Sequence, residues 1–314
     1  MIERLRQWAQ ERNYRVAWGP VDVVERARRE LLQRRETGEL DESFFASELA
    51  ALAEEESPPA GTSVVVVAVP RPAHRVRFRL DGGPADTLLP PTYVRYRATF
   101  EDVRQDLESH GLAGAEVEHL AWPIKAVAAH LGLVRYGRNN VTYAPGLGSY
   151  VQLCGFLTDA ALAPMPDGLP AEPALLDECA SCTACASACP TGAIDHERVL
   201  LHGERCLTCL NESAGDWPAW LPRAAHHCLL GCLYCQQACP ANGPLEVVDT
   251  GLEFSAAETR SLLGGKTAMA RRSESGIRLK LAWLGQPYAE PVLGRNLRAL
   301  VEVSGSRAHD GSSG

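Results

Sequence analysis

Ten of the eleven cysteines in this 314-residue chain lie between Cys179 and Cys239. They read C-x2-C-x2-C-x3-C-P from Cys179 to Pro190 and C-x2-C-x3-C-P from Cys232 to Pro240, with Cys206, Cys209 and Cys228 between the runs. A cubane iron–sulfur cluster needs four thiolates converging on a small volume. An x2 spacing lets one turn of backbone present successive sulfurs to one face, and the proline after each run turns the chain away. The first run has the bacterial [4Fe–4S] spacing, in which the fourth cysteine ligates the other cluster of a pair. Two crossed sets follow. One is Cys179, Cys182 and Cys185 with Cys239. The other is Cys189, Cys232 and Cys235 with a fourth thiol, for which Cys206 is the first choice and Cys209 and Cys228 are open alternatives. Four-cysteine zinc sites also use C-x2-C pairs, but a third inner cysteine fits them poorly. Cys154, in an apolar run, reads as a small core residue.

The remaining composition bounds the setting. Hydrophobic residues make up 46% and charged residues 22%, as in ordinary globular proteins. No apolar run is long enough to span a bilayer, so no membrane partner is expected. The N-terminus, Met1-Ile2-Glu3-Arg4-Leu5-Arg6, is charged from the start and lacks a signal-peptide core. The expected location is the cytoplasm, where metal binding is the better reading of so many cysteines than a disulfide framework. A net charge of −8 argues against a surface that is one continuous nucleic-acid footprint. Arg71, Arg75, Arg77 and Arg79, with Arg95 and Arg97 nearby, form one candidate basic patch. Its simplest reading is a strand with one solvated basic face.

The elements that must position the cysteines are legible in outline. Residues 1–57 read as helices: one around Ile2, Leu5, Trp8 and Ala9, one over 21–40 after Pro20, and one over 42–56. Tyr14–Trp18 reads as a strand between the first two. Val64–Val69 is a continuous apolar run rich in β-branched residues, which predicts a strand buried on both faces and hence a parallel or mixed sheet. Arg75–Leu80 reads as an adjoining strand and Asp81–Pro84 as a turn. A helix over 99–110, a strand over 115–120, a helix over 123–131 and a strand over 150–157 follow. The expected fold class is α+β or α/β. It has an N-terminal mixed-sheet α/β domain (1–168), a ferredoxin-like double [4Fe–4S] domain (169–245), a helical C-terminal segment (246–303) and a disordered tail (304–314).

Reading outward from the clusters, Gly132-Leu133-Val134-Arg135-Tyr136-Gly137-Arg138-Asn139 is followed by Gly148-Ser149-Tyr150-Val151, then by the first cysteine run ending C-P-T-G-A-I, then by Arg205-Cys206, the second run, and Gly294-Arg295-Asn296-Leu297. In this order, over roughly residues 60–300, the chain resembles the epoxyqueuosine reductases, cobalamin-dependent iron–sulfur enzymes related to reductive dehalogenases. The resemblance supports Cys206 as the fourth ligand of the second cluster. It implies a base-off cobalamin on the α/β domain, with Gly132, Tyr136, Gly137, Arg138, Asn139 and Ser149 as the corrinoid region. It implies electrons passing from an external low-potential donor through both clusters to the cobalt, and removal of an epoxide oxygen from a modified base in a tRNA anticodon. The basic stretch from Arg71 to Arg97 would then meet phosphates. The family's catalytic Asp falls on Glu118, and His119 beside it is a second candidate proton donor.

Departures from the family pattern cluster at the substrate end. Arg135 stands where a Trp is usual, and the Tyr usual after R-C is absent. His226-His227-Cys228-Leu229-Leu230-Gly231 replaces a G-N-R-like stretch. The helical repeats that some members add are not expected after Asn296. These changes keep two alternatives in view: a paralogous corrinoid-dependent reductase of a small molecule, and a non-catalytic electron carrier. His226 or His227 reaching a metal or the corrinoid is a variant of either, although such residues more often support a ligand than bind.

Overall fold

The computed structural model describes the chain apart from residues 52–61, 81–82, 166–167, 171, 196–200, 265–270 and 311–314, and gives backbone alone at 47–48, 271–274 and 303–310. In chain order the elements are α1 (Ile2–Glu11), β1 (Arg15–Pro20), α2 (Asp22–Glu36), α3 (Glu42–Glu48), β2 (Ser63–Pro70), β3 (Ala73–Leu80), β4 (Gly83–Leu89), α4 (Tyr96–Asp106), β5 (Val117–His119), α5 (Ile124–His130), β6 (Arg135–Tyr136), β7 (Thr142–Tyr143) and β8 (Val151–Thr158). The cysteine-rich stretch contributes α6 (Ala184–Ala188), α7 (Leu207–Glu212) and α8 (Tyr234–Gln237). β9 (Val247–Phe254), α9 (Ala256–Gly264), α10 (Arg271–Leu284) and α11 (Glu290–Asp310) complete the chain.

The apolar run is the centre of the first sheet, in order β1-β2-β8-β5. Successive side chains on a strand point to opposite faces. Val64, Val66 and Ala68 join Val23, Val24 and Ala27 of α2 and Val127 and Ala128 of α5. Val65, Val67 and Val69 join Leu5 and Trp8 of α1 and Phe100 and Val103 of α4. Full burial of each such valine stabilises the fold by ~1.5–3 kcal/mol. The two-faced burial read from the sequence is therefore present, but the expected parallel or mixed pairing in this sheet is not. β2 runs antiparallel to both β1 and β8, and β5 antiparallel to β8. Helices cover both faces here without the crossovers that a parallel sheet requires.

Parallel pairing occurs in the second sheet, of order β4-β3-β9. β3 and β4 form an antiparallel hairpin, while β9, from beyond the cysteines, lies parallel to β3. The segment after Pro244 thus opens with a strand rather than a helix. Phe78 and Phe254 stack across it, ring centroids 4.6 Å apart. Leu262, Ile277, Leu281, Val292 and Leu297 close the core over them. The cysteine-rich stretch consequently lies between β8 of the first sheet and β9 of the second.

α11 runs to Asp310, so residues 304–310, expected in a disordered tail, continue a helix. Extending an established helix costs far less than nucleating one. Parts of two other expectations, the helix over 42–56 and the turn at Asp81-Gly82, lie outside the described residues. Among the described residues, no helix is long and apolar enough to cross a membrane.

Candidate metal centre

Short local elements carry the thiols. Cys179 ends a 3-10 turn (Asp177–Ala180), Cys185 sits in α6, and Cys189 follows its last residue. Cys206 precedes α7, and Cys235 lies in α8. α6 and α8 pack together, which brings the two runs face to face. The Cys185 thiol stands in the electrostatic field of Cys179, Cys239 and Cys182. Cys189 and Cys206 act together on Cys232 and on Cys235, and Cys232 also acts on Cys235. The thiols of the two runs therefore lie within electrostatic reach of one another: Cys239 acts on Cys185 of the first run, and Cys189 on Cys232 and Cys235 of the second, as does Cys228 on Cys232. Cys185 also acts on Cys235, so the runs adjoin.

Burial pushes the Cys185 thiol up, the Cys232 thiol up to about 12, and the Cys235 thiol further still. Iron would have to displace these protons, as it does whenever a thiol becomes a metal ligand. Cys189 differs. Burial opposes its ionisation, but the Thr191 hydroxyl and backbone N–H groups at Thr191, Ala193 and Ile194 outweigh it and hold the thiol below its usual value. The Ala193 N–H donates to the Cys189 sulfur at 3.3 Å. Among the described residues, no three His, Cys, Asp or Glu side chains gather about a single metal-ion position.

The other thiols are placed plainly. Cys154 and Cys228 are fully buried, and burial pushes each up to about 12. Cys209 lies one turn along α7 from Cys206, 3.9 Å from the Ser213 hydroxyl. His227 Nε2 accepts from the Leu233 N–H at 3.0 Å, steadying the backbone between Cys232 and Cys235. His226 is buried and stacks on Trp217 at 3.9 Å; burial first, then Arg295, His227 and Arg223, pull it down to about 4. Arg295 and Asn296 act nearby. The Arg295 guanidinium donates to the carbonyls of Leu210 and Asn211 at the end of α7, and Asn296 to those of Asn211 and Leu229. A cation there also suits the negative end of the helix.

The six residues read as a corrinoid region fall into two roles. Gly132 ends α5 at φ +72°, the left-handed position that favours glycine after a helix. Tyr136 lines a cleft beside α5. Gly137 has no room for a side chain: a Cβ would lie 2.5 Å from Asn139 Oδ1 and 2.6 Å from the Tyr143 ring. The other three reach into the cysteine-rich stretch. Arg138 donates to the Cys179 carbonyl at 2.9 Å. Asn139, 1% exposed, donates to the Tyr143 hydroxyl at 2.9 Å and the Cys235 carbonyl at 3.4 Å. The Ser149 hydroxyl donates to Gln236 Oε1 at 3.0 Å, while its N–H donates to Asn242 Oδ1 at 2.7 Å. These side chains form a socket that holds one thiol-bearing backbone from each run. Tyr143, Gln236 and Asn242 complete it. Sequence reasoning missed them, although the amide side chains of Gln236 and Asn242, one just before and one just after Cys239-Pro240, were the available signal.

Glu118 and His119 lie at the exposed end of the edge strand β5. Neighbours on a strand face opposite sides. His119 shares the α4 face: its ring stacks on Phe100 at 5.3 Å, and its Nε2 lies 3.3 Å from Glu101 Oε2. Arg104, Gln105 and His119 together hold the Glu101 carboxyl at about 2. Glu118 takes the other face, with Leu120 and α5. That face carries a cleft of about 210 Å³ between α2, α3 and α5, lined by Phe44, Tyr136, Lys125 and Asn140. A recess of about 270 Å³ at Leu40, Phe44, His202 and Gly203 adjoins it. Lys125 donates to the Asn140 carbonyl at 3.1 Å and stands within electrostatic reach of Cys206.

The arginines of β3 are neutralised locally. Arg75 and Arg77 pair with Asp86, Arg77 also faces Asp249, and Arg79 pairs with Glu253. Arg71 donates to the Val94 carbonyl. Of the basic stretch, Arg95 and Arg97 stand apart, at the mouth of a different cleft.

Residues 178–242 match the family described as 4Fe-4S double cluster binding domain. Over 118 residues the chain is 35% identical to the epoxyqueuosine reductase of Bacillus subtilis, a match covering 38% of this chain and 28% of that protein. The Staphylococcus aureus epoxyqueuosine reductase is 33% identical over the same length, covering 38% of this chain and 29% of its own. The matched stretch thus spans less than a third of these relatives. Across the whole chain the likeness lies in structure. Epoxyqueuosine reductase from Streptococcus thermophilus superposes with a TM-score of 0.67 at 17% identity, covering 95% of this chain and 80% of that one. An epoxyqueuosine reductase solved with an epoxyqueuosine-modified tRNA stem loop gives 0.64 at 20% identity, covering 96% and 80%. By its architecture and its double-cluster motif, the chain has the fold of the epoxyqueuosine reductases.

Proposed function

We propose that this protein is an iron–sulfur oxidoreductase of the epoxyqueuosine reductase type. The observation that carries the proposal is the double-cluster match over residues 178–242, with the two cysteine runs brought together by α6 and α8. Cys179, Cys182, Cys185 and Cys239 would hold one [4Fe–4S] cluster, and Cys189, Cys206, Cys232 and Cys235 the other. The residues fit: each set offers four sulfurs on short backbone turns, Cys179 and Cys185 buried and the other six half-buried. Bound clusters supply one-electron transfer at potentials tuned by hydrogen bonds and burial. The chain's own side chains fix the geometry. Arg138 and Asn139 tie one thiol-bearing backbone of each set to the α/β domain, and Lys125 places a positive charge beside Cys206, where it would offset the charge of a reduced cluster.

The substrate proposed on the likeness to these enzymes is an epoxide on a modified base of a tRNA anticodon. Converting it to an alkene removes the oxygen as water and consumes two electrons and two protons. An external low-potential donor in the cytoplasm would supply the electrons. Glu118, exposed on β5, would supply a proton to the departing oxygen; His119, held by Glu101 on the opposite face, would support β5.

Cobalamin is the further cofactor that the sequence resemblance implies, and the residues present do not fit it as they stand. Arg138, Asn139 and Ser149 are engaged with the cysteine-rich stretch. The cleft at Tyr136, Phe44 and Lys125 is about 210 Å³, below the roughly 300–1,000 Å³ of sites for drug-sized ligands, and a corrinoid is larger than those. The same small volume favours a second reading, reduction of a small molecule in this cleft.

Anaerobic reconstitution tests the cluster proposal: about eight irons per chain are expected for two [4Fe–4S] clusters, and about four would overturn it. Titrating the reconstituted protein with cobalamin, followed by assay on epoxyqueuosine-containing tRNA, tests the rest. A base-off spectral change with product would establish the tRNA reading, and no change would leave the small-molecule reductase.

A further inference from the structure

A cleft of about 690 Å³ lies apart from Glu118 and Lys125, between the start of α4, the end of α7 and the turn after α10. Its chemistry is unusual for this protein. Tyr96, Trp283 and Tyr288 line it and are 41%, 50% and 52% exposed. Arg95 and Arg97 stand at its mouth, and among the described residues neither has a carboxylate within ion-pair distance. That contrasts with Arg75, Arg77 and Arg79, which are all paired. Two guanidiniums lining one cleft without a carboxylate partner, on a chain of net charge −8, favour an anion.

The inner wall carries a second, independent observation. Gln286 is 3% exposed. Its amide nitrogen donates to the Tyr93 carbonyl, which fixes the side chain's orientation. Its Oε1 is buried and accepts no hydrogen bond among the described residues. A buried acceptor without a donor costs about 1–3 kcal/mol, and a ligand with an N–H group would satisfy it. Glu212 lies beside it, accepting from the Tyr93 hydroxyl and from the Tyr288 hydroxyl at 3.4 Å.

We infer that this cleft is a nucleotide site. A planar base with N–H donors stacks on Trp283 and Tyr288 and donates to Gln286 Oε1, and its phosphate lies against Arg95 and Arg97. Aromatic stacking is tolerant of base identity, and the inner acceptors select bases that donate. The nucleotide is either free or one unit of an RNA strand, and both present the same base, sugar and phosphate. The site lies within electrostatic reach of the cluster-bearing stretch, since Cys206 acts on Tyr93.

Calorimetric titration of the reconstituted protein tests this without reference to reductase activity. The probes are adenosine and guanosine monophosphates, ribose 5-phosphate as the base-less control, and an anticodon stem-loop RNA. Arg97→Gln and Trp283→Ala alter exposed side chains, and thermal melting checks that each variant stays folded. Binding of a monophosphate that weakens roughly tenfold in each variant supports a free nucleotide. Binding of the stem-loop alone, with the same loss in both variants, supports a nucleotide unit of RNA. Ribose 5-phosphate binding as tightly as the monophosphates, binding unchanged in the variants, or no binding of any probe would each overturn the proposal. None of these outcomes depends on iron content or substrate turnover, so this site can fail while the reductase proposal stands, and the reverse.

Discussion

Asn139 donates to the carbonyl of Cys235 across 96 positions of sequence, from a site where its side chain is almost wholly buried. The same amide group donates to the Tyr143 hydroxyl, and Tyr143 lies within electrostatic reach of the Cys239 thiol. One amide therefore orients backbone or side chain next to a thiol of each proposed set. Replacing it with alanine removes both bonds and leaves buried acceptors unpaired. Asn139→Ala is expected to destabilise the folded protein by about 1–3 kcal/mol. In the reconstituted protein it should also lose iron faster under a chelator. Unchanged melting and iron retention would mean that the socket does not hold the centre.

Gly137 offers a sharper steric test. Gly137→Ala drives a methyl group against Asn139 Oδ1 and the Tyr143 ring. Overpacking of this kind costs about 1–3 kcal/mol. Denaturant unfolding should show a lower midpoint with an unchanged slope. A neutral result would require the Asn139–Tyr143 pair to move without cost.

Cys206 and Cys209 differ by one helical turn, and the thiol groups place Cys206 with Cys232 and Cys235. Cys206→Ser should drop iron after anaerobic reconstitution from about eight to about four per chain. Cys209→Ser should keep about eight. The reverse result would move the fourth ligand of that set to Cys209.

The two candidate proton donors face opposite sides of β5, so they should separate cleanly by mutation. Glu118→Gln is expected to lower substrate reduction by roughly 10²–10⁴-fold, the range of general acid–base contributions. His119→Ala should lower it far less. Equal losses would show that the donor is reached through both residues or lies elsewhere.

The Glu101 carboxyl has a directional pH signature. Its bonds to Arg104, Gln105 and His119 hold it at about 2, against 4.5 for an unperturbed glutamate. A depressed carboxyl stabilises the fold above its unfolded value, and that contribution is lost as pH falls through the window from about 4.5 to about 2. An NMR titration of the Glu101 carboxyl should show protonation near pH 2. A midpoint near 4.5 would mean that the Arg104 and His119 contacts do not persist in solution.

Several elements were readable because their causes are local. The helices at Ile2–Glu11 and Asp22–Glu36 follow from apolar spacing, and the strand over Val64–Val69 from its β-branched run. Double-sided burial of that strand was also legible, but not its antiparallel neighbours, because burial depends on what covers each face and not on strand direction. β4 was missed: Gly83 and Pro84 read as part of the turn Asp81–Pro84, and only pairing with β3 makes them the start of a strand. The basic stretch read as a solvated strand face, and its β3 arginines are indeed surface pairs, with acids brought by β4 and β9.

The sequence by itself determined the two cysteine runs, because a cluster-binding turn depends on intervals of two and three residues that backbone geometry alone can satisfy. It likewise determined the helices and strands with strong periodicity, for the same local reason. The tertiary structure brought the two cysteine runs together, since α6 packs on α8. It also decided that Arg138, Asn139 and Ser149 hold the cysteine-rich stretch in place, and that β3 and β9 pair in parallel across more than half of the chain. These relationships join residues from about 40 to about 175 positions apart. Closing such loops costs entropy that no local sequence preference offsets, so only the assembled cores on both sides could select them.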